Sequence, residues 1–143
     1  MLVRLMYASR AAASVDAEAL AAILKKSKEN NPQAGVTGVL CFCFNAGIFL
    51  QVLEGGRNAV SMLYNRISQD PRHREVVLLS YEEIGERSFS SWSMGQVNMG
   101  RLNPALLLKY SESATLDPYS VSGKASLALF NELVATASIG AQA

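Results

Sequence analysis

Residues 36–53 read VTGVLCFCFNAGIFLQVL. Two apolar stretches, 36–43 and 48–53, flank Asn45-Ala46-Gly47, and this is the pattern of a β-hairpin with a short turn. Gly55-Gly56 is expected to break the second strand. Working outward, residues 16–29 before the hairpin carry Leu20, Ile23, Leu24 and Ser27 at helical spacing, with Lys25, Lys26 and Lys28 largely on the outer side. Asn30-Asn31-Pro32 is expected to stop that helix, because the residue before proline avoids the α region. After the hairpin, residues 58–69 form a second helical pattern with Val60, Leu63, Tyr64 and Ile67 on one stripe, ended by Asp70-Pro71.

Farther out lie three more strand patterns. Residues 2–8 (LVRLMYA) place Val3, Leu5 and Tyr7 on one face and Leu2, Arg4 and Met6 on the other. Residues 75–81 (EVVLLSY) form a dense apolar strand, and 92–98 (WSMGQVN) a fifth, with Trp92 and Met94 on one face. The order β-α-β-β-α-β-β makes the chain α/β (α+β): a ferredoxin-like sheet with two helices on one face. Asn103-Pro104 caps a short helix at about 104–110. A last helix, about 122–137, carries Leu127, Phe130 and Val134 on one stripe. These two short C-terminal helices are too small for a second domain, so they must dock on the first or on another subunit. The expected division is 1–99 as a ligand-binding domain and 100–143 as a helical extension.

Composition narrows the function. Half of the 143 residues are hydrophobic, 17% are charged and the net charge is +1. That is a globular profile without the basic footprint of a nucleic-acid binder. No apolar run approaches the ~20 residues of a membrane span, and MLVRLMYASR lacks a signal peptide's apolar core. Cys41 and Cys43 are two apart in a strand, too far for an unstrained disulfide, so reduced thiols and a cytoplasmic location are expected. One histidine, His73, excludes a multi-histidine metal site. There is no Walker loop and no G-x-S-x-G elbow. The reading is not an enzyme.

Several polar groups nevertheless sit in apolar surroundings. Gln51 lies between Leu50 and Val52, Tyr7 shares a strand face with Val3 and Leu5, and Asn31 ends the first helix. A buried glutamine without partners costs about 1–3 kcal/mol. Taken singly, Gln51 reads as an edge-strand surface residue, Tyr7, Trp92 and Met94 as core, and Asn31 as a helix terminator.

Together they read differently. The stretches LVRLMYASRA, ENNPQAGVTGVL, FLQVLEG, QDPRHREV and RSFSSWSMGQV, in this order and spacing, resemble BLUF domains, blue-light sensors using FAD. The likeness covers residues 1–99 nearly end to end. The tail, LLLKYSESATLDP and a helix, resembles that of short BLUF proteins without a separate output domain.

The resemblance implies roles. Tyr7 stands at the photochemical electron and proton donor, and Gln51 between it and the flavin. Asn31 stands at the asparagine that bonds the ring edge, with Asn30 before it. Arg72 and His73 match a pair near the pyrimidine side and the ribityl chain. Ile23, Ser27, Leu40 and Phe49 match positions lining the isoalloxazine. Trp92 and Met94 match a pair that relays the signal, Met94 also bordering the cofactor. The implied cofactor is FAD, with FMN as the alternative. Light would rearrange the Gln51 hydrogen bonds, and the signal would run through the last strand into the C-terminal helices. A homo-oligomer and a downstream protein partner are implied; nucleic acid and membrane are not. One departure stands out: CFCFNAG makes the hairpin two residues longer than expected, which lengthens the tip and preserves strand facing. The runner-up is a dark ferredoxin-like module that binds a small molecule or dimerises. A flavin-dependent redox enzyme lacks a dinucleotide-binding G-x-G-x-x-G.

Overall fold

Alternation of side chains along the hairpin strands sorts the core into two layers. In the computed structural model, which describes residues 1–97 and 103–135 apart from the side chain of Val134, the elements run β1 (Leu2–Ala11), α1 (Ala17–Ala34), β2 (Thr37–Cys43), β3 (Ile48–Gly56), α2 (Arg57–Gln69), β4 (His73–Ile84), β5 (Gly95–Gln96), α3 (Pro104–Tyr110) and α4 (Gly123–Ala135). The sheet order is β4-β1-β3-β2-β5. Pairing is antiparallel except where β5 runs parallel to β2. This is the expected ferredoxin-like sheet.

Phe49 and Leu53 of β3 pack with Val3, Leu5 and Tyr7 of β1, Leu20 and Leu24 of α1 and Val60 of α2. Leu50 and Val52 face the other way. They pack with Met6, Ala8, Val39 and Cys41, and with Leu107, Leu129, Phe130 and Leu133 of α3 and α4. The C-terminal helices therefore cover the sheet face opposite α1 and α2, so Phe49, Leu50, Val52 and Leu53 are each buried under helices on one side or the other. Gly123 starts α4 against β4 so closely that a Cβ there would lie 1.8 Å from the Leu79 carbonyl oxygen. Among the described residues no helix is long and apolar enough to cross a membrane. Cys41 and Cys43 form no disulfide with each other.

Strands β1 and β4 run past the expected 2–8 and 75–81, and three further boundaries differ for reasons the structure shows. Helix α1 continues through Asn31 and Pro32 and closes at Gly35, whose left-handed backbone (φ 69°) directs its N–H to the carbonyls of Asn31 and Pro32. A proline in the last turn forfeits one intrahelical bond, and the glycine cap re-satisfies the carbonyls there. Strand β3 runs through Gly55-Gly56 because Leu2 and Val3 remain paired with them. The fifth strand is two residues instead of seven. Among the described residues its one strand partner is β2, and the residues before it spend their polar groups on α1 and β3. Asn98, the last residue of the expected strand, and the end of α4 beyond Ala135 lie outside the described residues, as does the expected 99/100 boundary.

Candidate functional site

A cavity of about 450 Å³ opens between α1, α2 and the sheet, within the usual range for small-molecule sites. Its floor is one row across three central strands: Tyr7 pairs with Gln51, and Gln51 pairs with Leu40. Period-2 alternation makes the row, since Phe49 and Gln51 point to the same face. Helix α1 brings Ile23, Ser27, Asn30 and Asn31 to one wall. Arg72 and His73, at the entry to β4, and Met94, before β5, complete the set. Thus Tyr7, Ile23, Ser27, Asn30, Asn31, Leu40, Phe49, Gln51, Arg72, His73 and Met94 all line a single cavity. Trp92 does not. It packs, half-buried, against the core cluster on the α3/α4 face, while Met94 is buried on the α1/α2 face. The two share no strand face because β5 starts only at Gly95.

The polar groups of the floor are connected. The Tyr7 hydroxyl donates to Gln51 Oε1. Gln51 Nε2 donates to Met94 Sδ at 3.1 Å, a weak acceptor for a buried amide. Asn31 Nδ2 donates to the Ser93 carbonyl at 2.8 Å. Gln51 is on a central strand and only 7% exposed, so the surface reading is excluded. Burial pushes the Tyr7 hydroxyl far above its usual range, aided by Tyr64 and Asp70, so it stays protonated. Burial likewise holds the His73 imidazole below its ordinary value, against the pull of Asp70. His73 Nδ1 lies 2.7 Å from Ser9 Oγ, and its ring stacks at a tilt on Phe49. At the mouth, Arg72 clamps Asp70, and that hydrogen bonding holds the Asp70 carboxyl down at about 2.

Sequence reasoning missed part of the lining: Lys26, Ala34, Ala59, Met62, Leu63, Arg66, Ile67 and Asp70. The stripe of Leu63 and Ile67 was a usable signal, since a stripe facing the sheet also faces whatever lies between. Lys26, Arg66 and Asp70 carried none, because a charged residue on a helix or at its end usually reads as solvated surface.

The sequence model of the BLUF family, sensors of blue-light using FAD, matches residues 2–95. The chain belongs to that family. BLUF domains bind flavin, and the cavity offers what such a ring requires: apolar walls, the carboxamides of Asn30, Asn31 and Gln51, and a buried phenol. Among curated proteins, photoactivated adenylate cyclase subunit beta of Euglena longa is 36% identical over 94 residues, 65% of this chain and 11% of that protein. The blue light- and temperature-regulated antirepressor BluF of Escherichia coli K12 is 34% identical over 94 residues, 66% of this chain and 23% of that protein. This BLUF chain spans about a tenth of the length of the Euglena relatives it matches. Two solved structures match along nearly their whole length. BlsA in its photo-activated state superposes with a TM-score of 0.80 at 30% identity, covering 100% of this chain and 99% of that one. BlrB in its dark state gives 0.78 at 32%, covering 95% and 96%.

Proposed function

We propose that this BLUF chain is a blue-light photoreceptor that seats FAD between α1 and α2, with Tyr7 and Gln51 as the photochemical pair. The observation that carries this reading is the chain of donors on the cavity floor, from the Tyr7 hydroxyl to Gln51 Oε1 and from Gln51 Nε2 to the Met94 sulfur. Bound flavin would supply absorption of blue light and an acceptor for one electron. Asn31 and Gln51 would hold the ring edge, and Ile23, Ser27, Leu40 and Phe49 its faces. Arg72, His73 and Asn30 would hold the part nearer the mouth. Lys26 and Arg66 add positive charge at the rim, which favours the two phosphates of FAD over the single phosphate of FMN.

The residues have the properties the task demands. Tyr7 keeps its proton in the dark and is aimed at an amide oxygen, so the proton can pass to Gln51 along a bond already made. An amide has two orientations, and Gln51 holds its present one with a thioether as acceptor. A carbonyl would bind the same N–H more strongly, so rearrangement of Gln51 exchanges one bonded state for another and releases Met94. Met94 and the neighbouring Trp92 would then carry the change to the α3/α4 face. This is a two-state element biased by a local polar event.

Residues 1–99 would form the sensing domain and 100–143 the output extension. Output would reach a protein partner or a second copy of the chain, in the cytoplasm, as it reaches linked functions in the named cyclase and antirepressor relatives. The test is direct. The purified chain should be yellow, release FAD on heating, and show a small red shift after a blue flash that decays in the dark. A colourless chain, or one whose spectrum ignores the flash, refutes the proposal.

A further inference from the structure

The most deeply buried charge of the described residues lies outside the cavity. Glu54 is fully buried, three residues after Gln51 in β3. Its carboxylate accepts from Arg4 Nε at 2.8 Å, from the Ser88 backbone N–H at 3.0 Å and from the Phe89 backbone N–H at 2.7 Å. Arg4 continues to Glu82 and to the Ser88 hydroxyl. A buried carboxylate is costly unless paired and fully hydrogen-bonded, and here two of its three partners are backbone groups of a loop. That loop, residues 85–94, joins β4 to β5. Arg87 fastens its start to Thr37 Oγ1 and the Gly35 carbonyl, and Phe89 is wholly buried. The Trp92 carbonyl accepts from Gly38. The loop then delivers the Ser93 carbonyl to Asn31 and the Met94 sulfur to Gln51.

We infer that Glu54 is a positioning residue: paired with Arg4, it ties the 85–94 strap to β3 and so sets Met94 against the Gln51 amide. The inference rests on the photochemical reading of Gln51 given above. Strand β3 then holds both the amide that rearranges and the fixed post of the segment that responds. A rigid strand keeps the two at constant spacing, so rearrangement of Gln51 moves Met94 relative to an anchor that stays put. A merely structural ion pair would affect overall stability without singling out the strap.

The test uses the full-length flavin-loaded chain and Glu54→Gln, which keeps the shape and removes the charge. Ser88 and Phe89 donate to different oxygens of the carboxylate, and an amide keeps only one of these as an acceptor, so at least one of the two backbone N–H groups loses its partner and faces an NH2 group instead. Amide hydrogen exchange across 85–97 is expected to rise about tenfold or more, while β1 and the rest of β3 keep their protection. Dark recovery after a blue flash is expected to change at least about threefold. If Glu54→Gln does not fold, the double variant Arg4→Gln/Glu54→Gln removes both charges and is measured the same way. Exchange and recovery within about twofold of wild type, or a change in one without the other, overturns the inference alone. A wild-type chain without a flash response overturns the photochemical reading and the inference with it.

Discussion

Replacing Tyr7 with phenylalanine removes one oxygen atom from a site that is 1% exposed and leaves the Gln51 carbonyl without its donor. An unsatisfied buried acceptor costs about 1–3 kcal/mol. Gln51→Leu makes the reciprocal loss: the Tyr7 hydroxyl is stranded at about the same cost, offset in part by the apolar surface leucine buries. The double variant strands neither group. Its destabilisation should therefore fall short of the sum of the singles by about 1–2 kcal/mol. At roughly 3–5 °C per kcal/mol for a domain of this size, the shortfall is readable as a melting temperature as well as a urea midpoint. The assay is equilibrium unfolding of all four flavin-free proteins, followed by circular dichroism. Additivity within about 0.3 kcal/mol would refute a direct bond between the two side chains.

Gly123→Ala would push a methyl group into the Leu79 carbonyl and force α4 off β4; a loss of about 1–3 kcal/mol is expected, with flavin affinity on the opposite face unchanged, and an unaltered melting temperature would contradict the packing. Trp92→Phe should leave flavin affinity within about twofold of wild type in a fluorescence titration, because the indole faces the α3/α4 layer; a tenfold loss would put it in the cavity. His73 is held below its unfolded pKa, so it stabilises the fold while neutral, at pH above about 6.5, and that contribution is lost as pH falls through 6.5 toward the lower folded value. The urea midpoint of the flavin-free chain should drop between pH 7.5 and 5.5, and the drop should flatten in His73→Gln; a midpoint that holds or rises on acidification would refute the assignment.

Much of this was legible in the sequence because period-2 alternation survives in the central strands. Val3, Leu5 and Tyr7 share a phase, as do Phe49, Gln51 and Leu53, and those phases meet the stripes of α1 and α2. The hairpin itself was placed by its turn; the structure sets its register, with Cys43 against Ile48 and Leu40 against Gln51, so the longer tip leaves the floor intact. The end of α1 was misread because a proline rule local to Asn31-Pro32 ignores the left-handed cap at Gly35 that makes the extra turn affordable. Strand β5 was overextended because WSMGQVN alternates like a strand, while its first residues are committed to Asn31, Gly38 and Gln51, groups distant in sequence. The burial of Glu54 was invisible for the same reason: its partners Arg4, Ser88 and Phe89 lie 34 to 50 residues away.

The central claim is that the phenol at position 7 and the amide at position 51 act together on a bound flavin. Flash difference spectra of flavin-loaded wild type, Tyr7→Phe and Gln51→Leu test it most directly. Wild type should shift to the red and relax in darkness, while both variants bind flavin and stay spectrally still. A full, reversible shift in either variant would contradict the account.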